Sequence, residues 1–384
     1  MNFKLWLKNK RMNVLSGNRI KKAFKIFVVL ICCQPLFGQV KFVNEFLNIG
    51  VGARAHGMFG SVVATVNDGT AGYWNPAGLV GIQNPLQFNA MHANWFGGIA
   101  NYDFLSVGKK FKGDNNAAGS FTLIRMGIDN IPNTLNLIGP DGSVDYNRVI
   151  PFSAADYAGL FSYGRSVSGG KHNLGGTVKI VHRSIGSFGS AWGFGIDLGG
   201  QFDLGAIKIG ISARDITTTF NAWSFNLSED ERQVFEATGN DIPVSSTELT
   251  LPRFIVGMAY QGGSSSLSYL FETDLNISTN GTESGVFSGR NLSVDPTFGL
   301  EVGISNTVFI RGGIGNIQRI INDVNSSQKD IEFQPNLGMG VKLGRLQIDY
   351  ALTNIGSVSG VLVSNIFSLK IDFKGSSSSG TVSQ

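Results

Sequence analysis

Cysteine is almost absent from this chain, and so are the sequence motifs of common enzymes. The 384 residues include two cysteines, Cys32 and Cys33, which both fall in the first 38 residues, so no disulfide is expected in the remainder. No HExxH, GxSxG, P-loop or CxxC motif occurs. His172 and His182 share a predicted strand face but lie about 33 Å apart at the rise of a strand, too far to share a metal ion. We therefore expect no catalytic residues, no metal site and no cofactor.

Long hydrophobic runs are also missing beyond residue 40, where no stretch approaches the roughly 20 apolar residues of a membrane-spanning helix. Charged residues make up only 15% of the chain, whereas glycine (51) and phenylalanine (28) are abundant. Apolar residues instead alternate with small or polar ones over short segments, which predicts β-strands. The alternation is clearest near the C-terminus, where bulky residues occupy every second position: Phe367, Leu369, Ile371 and Phe373.

The first 38 residues differ from the rest because they contain 8 basic residues and no acidic one. An apolar run at 26–33 and the small residue Gly38 follow, which predicts a secretory signal peptide over residues 1–38. A lipoprotein signal is disfavoured, since Ile31 and Cys32 precede the two cysteines where such a site has a small residue. Without residues 1–38, 23 Lys and Arg remain against 27 Asp and Glu, a net charge of −4 instead of +4. The basic pI is then no argument for nucleic-acid binding.

The remaining chain is predicted to form a closed barrel. Fourteen strands are predicted: 86–95, 98–109, 117–128, 154–166, 171–183, 192–204, 206–214, 252–261, 265–275, 296–305, 307–314, 333–343, 345–353 and 364–373. After a short connection near 96–97, short connections alternate with longer ones, the latter near 129–153, 184–191, 215–251, 276–295, 315–332 and 354–363. This sorting is typical of outer-membrane barrels, whereas a soluble β-sandwich also alternates but needs neither sorted loops nor a signal peptide.

The predicted fold class is thus all-β, a transmembrane antiparallel β-barrel of about 14 strands over residues 86–373. A flexible Ser- and Gly-rich tail follows at 374–384. A barrel of more than about eight strands leaves a lumen that its own side chains do not fill. Residues 39–85 are rich in glycine and precede the first strand, so we expect them to form a hatch in the lumen. The expected localisation is a bacterial outer membrane with the long loops outside the cell.

Two groups of residues are candidates for binding. In the predicted hatch they are Arg54, Asp68, Trp74, Asn75 and Pro76. Arg54 and Asp68 are expected to pair with each other or with wall residues, because an unpaired charge inside a barrel is costly; the pairing would hold the hatch or sense a ligand. In the long loop 215–251 the candidates for docking a protein partner are Trp223, Phe225, Glu229, Asp230 and Glu231. The alternative for this loop is a solvated cap.

The hatch sequence also carries a family resemblance. The segments 46–58, Val63–Asp68 and Trp74–Leu79, with the order ARA, ND and WNPA, resemble the N-terminal signature of the PorV/PorQ-type outer-membrane proteins, relatives of the FadL fatty-acid channels. This resemblance implies a barrel of the type IX secretion system in a Bacteroidota-type bacterium. Its partners would be outer-membrane lipid, the translocon barrel, the C-terminal domains of secreted cargo and the surface attachment complex. The alternatives are a FadL-like conduit for hydrophobic small molecules and a purely structural barrel.

Overall fold

The computed structural model describes residues 43–111, 116–138, 143–167, 171–279, 287–289, 292–321, 329–355 and 363–373. The predicted signal peptide (1–38) and the predicted tail (374–384) lie outside these residues. Among the helices of the described ranges, none is long and apolar enough to cross a membrane.

The described residues form seventeen strands and few helices. The strands are β1 (Leu86–Trp95), β2 (Ala100–Lys110), β3 (Ala117–Asn133), β4 (Ile150–Val167), β5 (His172–Ile185), β6 (Gly189–Asp203), β7 (Ile207–Arg214), β8 (Thr219–Phe225), β9 (Thr247–Thr250), β10 (Arg253–Gly263), β11 (Leu267–Ser278), β12 (Phe287–Ser288), β13 (Ser293–Ile304), β14 (Val308–Ile321), β15 (Lys329–Leu343), β16 (Leu346–Thr353) and β17 (Ser364–Phe373). The α-helices are α1 (Ala53–Gly57), α2 (Ala71–Trp74) and α3 (Glu229–Ala237), and 3-10 helices lie at Glu45–Asn48, Pro76–Gly81, Phe96–Gly98 and Tyr146–Arg148.

The strands close into one antiparallel barrel. Strand β1 pairs with β2 on one side and with β17 on the other, where Leu86 lies opposite Phe373. Strands β7 and β8 pair with successive parts of β6, β9 leads into β10, and the short β12 pairs with β13. The wall therefore has 14 strands, which confirms the predicted fold class.

Two predicted long connections are wrong. Strand β5 ends at Ile185 and β6 begins at Gly189, so the connection predicted at 184–191 is reduced to residues 186–188. The predicted loop 215–251 is interrupted by β8 and β9. These strands extend β7 and β10 and so lengthen the wall at this end. The alternating pattern stops after residue 214 because the ladder of hydrogen bonds is interrupted between β7 and β8. At this interruption Asp215 and Thr218 adopt positive φ angles of 54° and 55°.

The connections on the opposite end of the wall are tight turns. Ser305 and Asn306 join β13 to β14 with φ angles of 51° each, and the Thr307 N–H donates to the carbonyl of Ile304 at 2.9 Å. Two consecutive positive φ angles define the type I′ turn, whose twist matches that of paired strands. Short connections at this end therefore follow the prediction.

Side chains alternate between an inner and an outer face of the wall. In β2, Tyr102 and Phe104 are buried, whereas Leu105 and Val107, which follow them at outward positions, are exposed. Neighbours in register extend this pattern into an apolar outer row: Ile348, Leu369, Ala90, Leu105, Leu123, Gly159, Ile180 and Phe194. An outward apolar band of this kind is the surface that transmembrane barrels present to lipid.

A second outer row, one step closer to the connection at 96–99, is amphipathic, and we call it the boundary row. Its members are neighbours in register: Tyr350, Phe367, His92, Asp103, Arg125, Tyr157, His182 and Trp192. Beyond it the outer face turns polar with Asn94, Asn101 and Asn365. Aromatic and amphipathic residues mark the interface between lipid and water, so this row marks one edge of the apolar band.

Residues 43–85, here called the inner segment, contact the inner face of the wall. Helix α1 packs on β14–β17, and the 3-10 turn Pro76–Gly81 packs on β3–β6. These are different arcs of the barrel, so the inner segment crosses the space between them. Its hydrophobic residues are almost fully buried, including Val51, Met58 and Leu79.

Candidate functional site

The fold of the inner segment is built around Trp74. The indole N–H donates to the carbonyl of Val51 at 2.8 Å, and the ring meets Tyr73 edge-on at 5.0 Å between centroids. Gly50 and Gly60 adopt φ angles of 99° and 77°, and a Cβ on either would lie 3.1 or 3.3 Å from this ring. Glycine is required there for both backbone conformation and space. The predicted binding residue Trp74 thus serves as internal packing.

Asn75 and Pro76 join the inner segment to the wall. The Asn75 side-chain amide donates to the carbonyls of Val63 (2.9 Å) and Gly200 (3.0 Å), and its oxygen accepts from the Ala77 N–H at 3.2 Å. The side chain therefore caps the following 3-10 turn and bonds β6 at the same time. Pro76 stands at the first position of that turn, where its missing N–H costs nothing.

Glycines in the wall make room for this contact. A Cβ on Gly164 would lie 2.5 Å from the Pro76 carbonyl oxygen, one on Gly175 2.4 Å from the Pro76 carbonyl carbon, and one on Gly199 2.1 Å from the Asn75 side-chain oxygen. Glycine inside a strand often marks a close backbone approach. Strands β3–β6 hold the inner segment through close packing and hydrogen bonds to neutral groups. Among the described residues they make no ion pair with the segment. We call these strands the neutral arc.

Strands β11–β17 hold the inner segment through charges, and we call them the charged arc. Arg54 binds Glu301 with two hydrogen bonds, Nε to Oε2 at 2.9 Å and Nη2 to Oε1 at 3.2 Å. Glu301 also accepts from Arg311 Nε at 2.6 Å, and Arg311 Nη1 donates to Asp349 at 2.7 Å. Two cations thus alternate with two anions from α1 across the wall, so that no charge in the row is left unpaired.

Asp68 makes the second ion pair with the charged arc. Its Oδ2 lies 3.7 Å from Lys370 Nζ, while Oδ1 accepts from the Thr70 N–H and hydroxyl at 2.9 and 2.6 Å. Arg54 and Asp68 therefore each pair with a wall residue rather than with each other. Both border one cavity of about 30 Å³, which Lys370 and Asp349 also line.

Two wall carboxylates bind the backbone of the inner segment directly. Glu272 accepts from the Ala64 N–H at 2.6 Å and from the Thr65 hydroxyl. Asp274 accepts from the N–H groups of Val62 and Val63 at 3.1 and 3.2 Å. These donors belong to a stretch without regular secondary structure, so the carboxylates replace the partners that a helix or a sheet would supply.

A third charged cluster lies in the wall beside the inner segment. Lys179 is buried between Asp197 and Asp215, with Nζ to oxygen distances of 2.8 and 2.6 Å. Arg214, which precedes Asp215, lies over the Tyr73 ring at 4.5 Å and donates to the Leu47 carbonyl at 2.8 Å. This arginine links the cluster to the first helical turn of the inner segment.

His56 lies buried in helix α1 near the charged arc. Its backbone carbonyl accepts from Asn336 at 2.9 Å, and its ring lies 5.7 Å from that of Trp95. The ring Nε2 has no hydrogen-bond partner among the described residues. Burial lowers the pKa of His56 to about 4, so the side chain is neutral near pH 7.

The predicted docking residues of the long loop divide into two sets, and the first set is misplaced. Trp223 and Phe225 belong to β8, not to a loop, and Trp223 is only 8% exposed. Its indole N–H donates to Glu248 at 2.8 Å, and Arg183 lies over its ring at 5.3 Å. Trp223 therefore faces inward, because it continues the inner face of β7.

The second set lies at the start of α3. Glu229 and Asp230 are exposed, and Glu231 closes a capping box with Ser228. Acidic residues in the first turn also favour the helix dipole. The sequence reading of a plain loop missed this helix, although Ser228 followed three residues later by Glu231 is a helix-start signal. Docking by these residues stays a prediction.

Most wall residues of the site were not singled out from the sequence. Glu272, Asp274 and Glu301 occupy inward positions in two of the predicted strands. Acidic residues at inward positions of these strands were therefore a signal that the sequence contained. Which backbone groups they bind could not follow from that pattern. Among the described residues no cluster of three or more His, Cys, Asp or Glu side chains is arranged to hold a metal ion.

Comparisons with known proteins find likeness in structure only. No protein-family model and no curated protein matches the chain. Among solved structures, the Pseudomonas putida toluene transporter TodX superposes with a TM-score of 0.54 at 12% identity, covering 85% of this chain and 99% of TodX. The Ralstonia pickettii toluene transporter TbuX gives 0.52 at 13% identity, covering 84% and 98%. A Pseudomonas aeruginosa FadL homologue gives 0.50 at 11% identity, covering 84% and 98%.

The barrel has the fold of these transporters. The likeness extends over nearly their whole length and over 84–85% of this chain. The FadL-like part of the expected resemblance is supported at the level of fold, whereas nothing in the comparisons points to type IX secretion. The structural neighbours are transporters rather than enzymes, in line with the absence of catalytic motifs from the sequence.

Proposed function

We propose that this chain is an outer-membrane conduit for hydrophobic small molecules, with the inner segment as its gate. The observation that carries this proposal is the likeness to toluene transporters over 98–99% of their length. The apolar outer row supports a place in a lipid bilayer, and the predicted signal peptide supports export. The inner face of the wall carries charges and surrounds a separately folded segment. This arrangement favours a barrel with a passage over a purely structural barrel.

The proposed conduit is narrow where Arg54 and Asp68 meet the wall. At the Arg54 and Asp68 contact the space between segment and wall measures about 30 Å³. A buried cavity that admits benzene has a volume of roughly 150 Å³. A monoaromatic hydrocarbon therefore passes this point only after the inner segment moves.

The two arcs differ in how that movement could occur. Detaching the segment from the neutral arc breaks the hydrogen bond from Asn75 to the Gly200 carbonyl and the close packing at Pro76. On the charged arc, Arg54 could leave Glu301 while Arg311 still pairs with that carboxylate. Glu301 therefore keeps one cationic partner when Arg54 moves away. We infer that the gate opens there and stays attached to the neutral arc.

A disulfide between segment and wall tests the proposal. The hydroxyl oxygens of Ser61 and Thr297 lie 2.9 Å apart, one on the segment and one on β13. Changing both to cysteine places two thiols in contact in a chain whose other cysteines lie in the predicted signal peptide. The experiment measures uptake of a labelled monoaromatic hydrocarbon, and of a labelled fatty acid, by cells that lack other such channels.

The oxidised double variant is expected to lose uptake, and a reductant is expected to restore it. Ser61→Cys and Thr297→Cys alone are the matched controls and should transport as the unchanged protein does. Transport by the oxidised double variant at the unchanged rate would show that the segment is not a gate. Failure of the unchanged protein to take up either compound would exclude the conduit.

Binding to type IX secretion components is the second candidate function, favoured by the signature over residues 46–79. Its test is purification from detergent-solubilised outer membrane. Co-purification of a translocon barrel or secreted cargo supports this role, and its absence together with hydrocarbon uptake supports the conduit. The role of the loop between β8 and β9 is tested by deleting residues 229–241, which leaves both strands intact. That deletion should abolish partner capture and leave the barrel heat-modifiable on a gel.

A further inference from the structure

The outer face of the wall has a groove where its apolar row reaches a small residue. Ala90 lies in register between Leu105 and Leu369, so its single methyl group leaves a notch between two leucines. The groove has a volume of about 650 Å³. Its apolar lining comprises Ala90, Leu105, Leu123, Ile348, Phe367 and Leu369.

One end of this groove is polar, because four members of the boundary row lie there. The Asp103 carboxylate accepts a hydrogen bond from His92 Nδ1 at 2.7 Å, and its second oxygen lies 3.5 Å from Arg125 Nη1. Arg125 Nε also donates to the Tyr157 hydroxyl at 3.4 Å. All four residues line the groove together with the apolar side chains.

Arg125 is the member of this group with donors to spare. Its two polar contacts within the described part of the chain are long, at 3.4 and 3.5 Å. Asp103 is shared with His92, so it does not saturate the guanidinium. Gly127 leaves room for the guanidinium of Arg125, since a Cβ on Gly127 would lie 2.5 Å from Arg125 Nη2. A planar guanidinium held in this way suits a bidentate contact with a phosphate.

The place of the groove in the wall decides which molecule reaches it. Apart from Phe367, the apolar lining belongs to the lipid-facing row, whereas Phe367 and the polar end belong to the boundary row. A ligand that fills both must have an apolar chain on the membrane side and an anionic group at the interface. This is the chemistry of a phosphorylated membrane lipid.

We propose that the groove binds one phosphorylated lipid, with an acyl chain along Ala90 and the phosphate at Arg125. The site is separate from the inner segment and does not depend on the function proposed above. His92 and Tyr157 line the groove beside Arg125 and offer further hydrogen-bonding groups to the phosphate.

Native mass spectrometry of the purified barrel in a neutral detergent tests this site. The two probes are phosphatidic acid and diacylglycerol with the same acyl chains, which differ only in the phosphate. We expect one retained phosphatidic acid per barrel and retention of diacylglycerol at least about tenfold weaker, because a charge-assisted contact is lost. Equal retention of both lipids would overturn the assignment of the phosphate to Arg125.

Three variants complete the test. Arg125→Gln should weaken phosphatidic acid binding about tenfold, and Ala90→Phe should remove it by filling the notch. Arg165→Gln is the matched control, since Arg165 also lies beside a tyrosine on the outer face, with Nη1 3.4 Å from the Tyr163 hydroxyl. Heat-modifiability on a gel verifies that each variant is folded. Equal loss in Arg165→Gln, no loss in Arg125→Gln, or displacement of the lipid by inorganic phosphate would overturn the proposal.

Discussion

The neutral arc and the charged arc hold the same inner segment by different physics. On the neutral arc, wall glycines let the backbone at Pro76 approach closely, and the Asn75 side chain donates to the carbonyl of Gly200. On the charged arc, Glu301, Glu272 and Asp274 bind a guanidinium and backbone N–H groups. Close packing depends on shape and is insensitive to pH, whereas the charged contacts depend on protonation and on each partner being present. The two arcs can therefore be tested separately.

The largest expected effect is that of Glu301→Gln on the charged arc. Arg54 loses its carboxylate, and Arg311 keeps only Asp349. Breaking a buried ion pair from one side costs about 3–5 kcal/mol. Arg54 is the single Lys or Arg in residues 43–85, so tryptic cleavage after Arg54 reports release of the segment. Cleavage should accelerate strongly in Glu301→Gln; a rate equal to that of the unchanged protein would contradict the role of this pair.

Acidification should also weaken the charged arc, through His56. Its pKa inside the protein is about 4, below the ordinary value of 6.5, so a released segment binds a proton that the seated one does not. The stabilisation is complete above pH 6.5 and is lost as the pH falls towards 4, by about 3 kcal/mol over the window. Hydrogen exchange of peptides from 43–85 measures this loss of stability. His56→Gln should remove this part of the pH dependence, and an unchanged profile would show that other groups cause it.

Gly199→Ala sharpens the comparison on the neutral arc. The added Cβ would lie 2.1 Å from the Asn75 oxygen, and such overpacking costs about 1–3 kcal/mol. Because no charge is involved, the loss measured by hydrogen exchange should not change with pH. Gly312→Ala is the matched control, since nothing lies within 4 Å of a Cβ there. Equal effects of the two substitutions would refute close packing as the cause.

The smallest expected effect is that of Lys370→Gln. The distance from Lys370 Nζ to Asp68 is 3.7 Å, and Asp68 keeps two hydrogen bonds to Thr70. Partly exposed pairs of this kind contribute about 0–1 kcal/mol. Cleavage after Arg54 should therefore accelerate far less than in Glu301→Gln. An effect as large as that of Glu301→Gln would mean that Asp68, not Arg54, dominates the charged arc.

The wall could be predicted from the sequence because a barrel strand has a period of two. Alternation located all fourteen wall strands, and the type I′ turn at Ser305 and Asn306 lies where a short connection was expected. The extension of β7 into β8 could not be predicted, since the positive φ angles of Asp215 and Thr218 carry no periodic signal. Arg54 and Asp68 were expected to find partners, but the partner Glu301 lies 247 residues away, and no local pattern encodes that pairing.

The seam between β1 and β17 has a consequence for how the protein is assembled. The inner segment leads directly into β1, and β1 meets the last strand of the chain, with Leu86 opposite Phe373. Arg54 and Ala53 bind residues of β13 and β17, which are synthesised after nearly everything else. The segment is therefore synthesised before its partners in the wall, so its contacts with β13 and β17 cannot form until those strands exist.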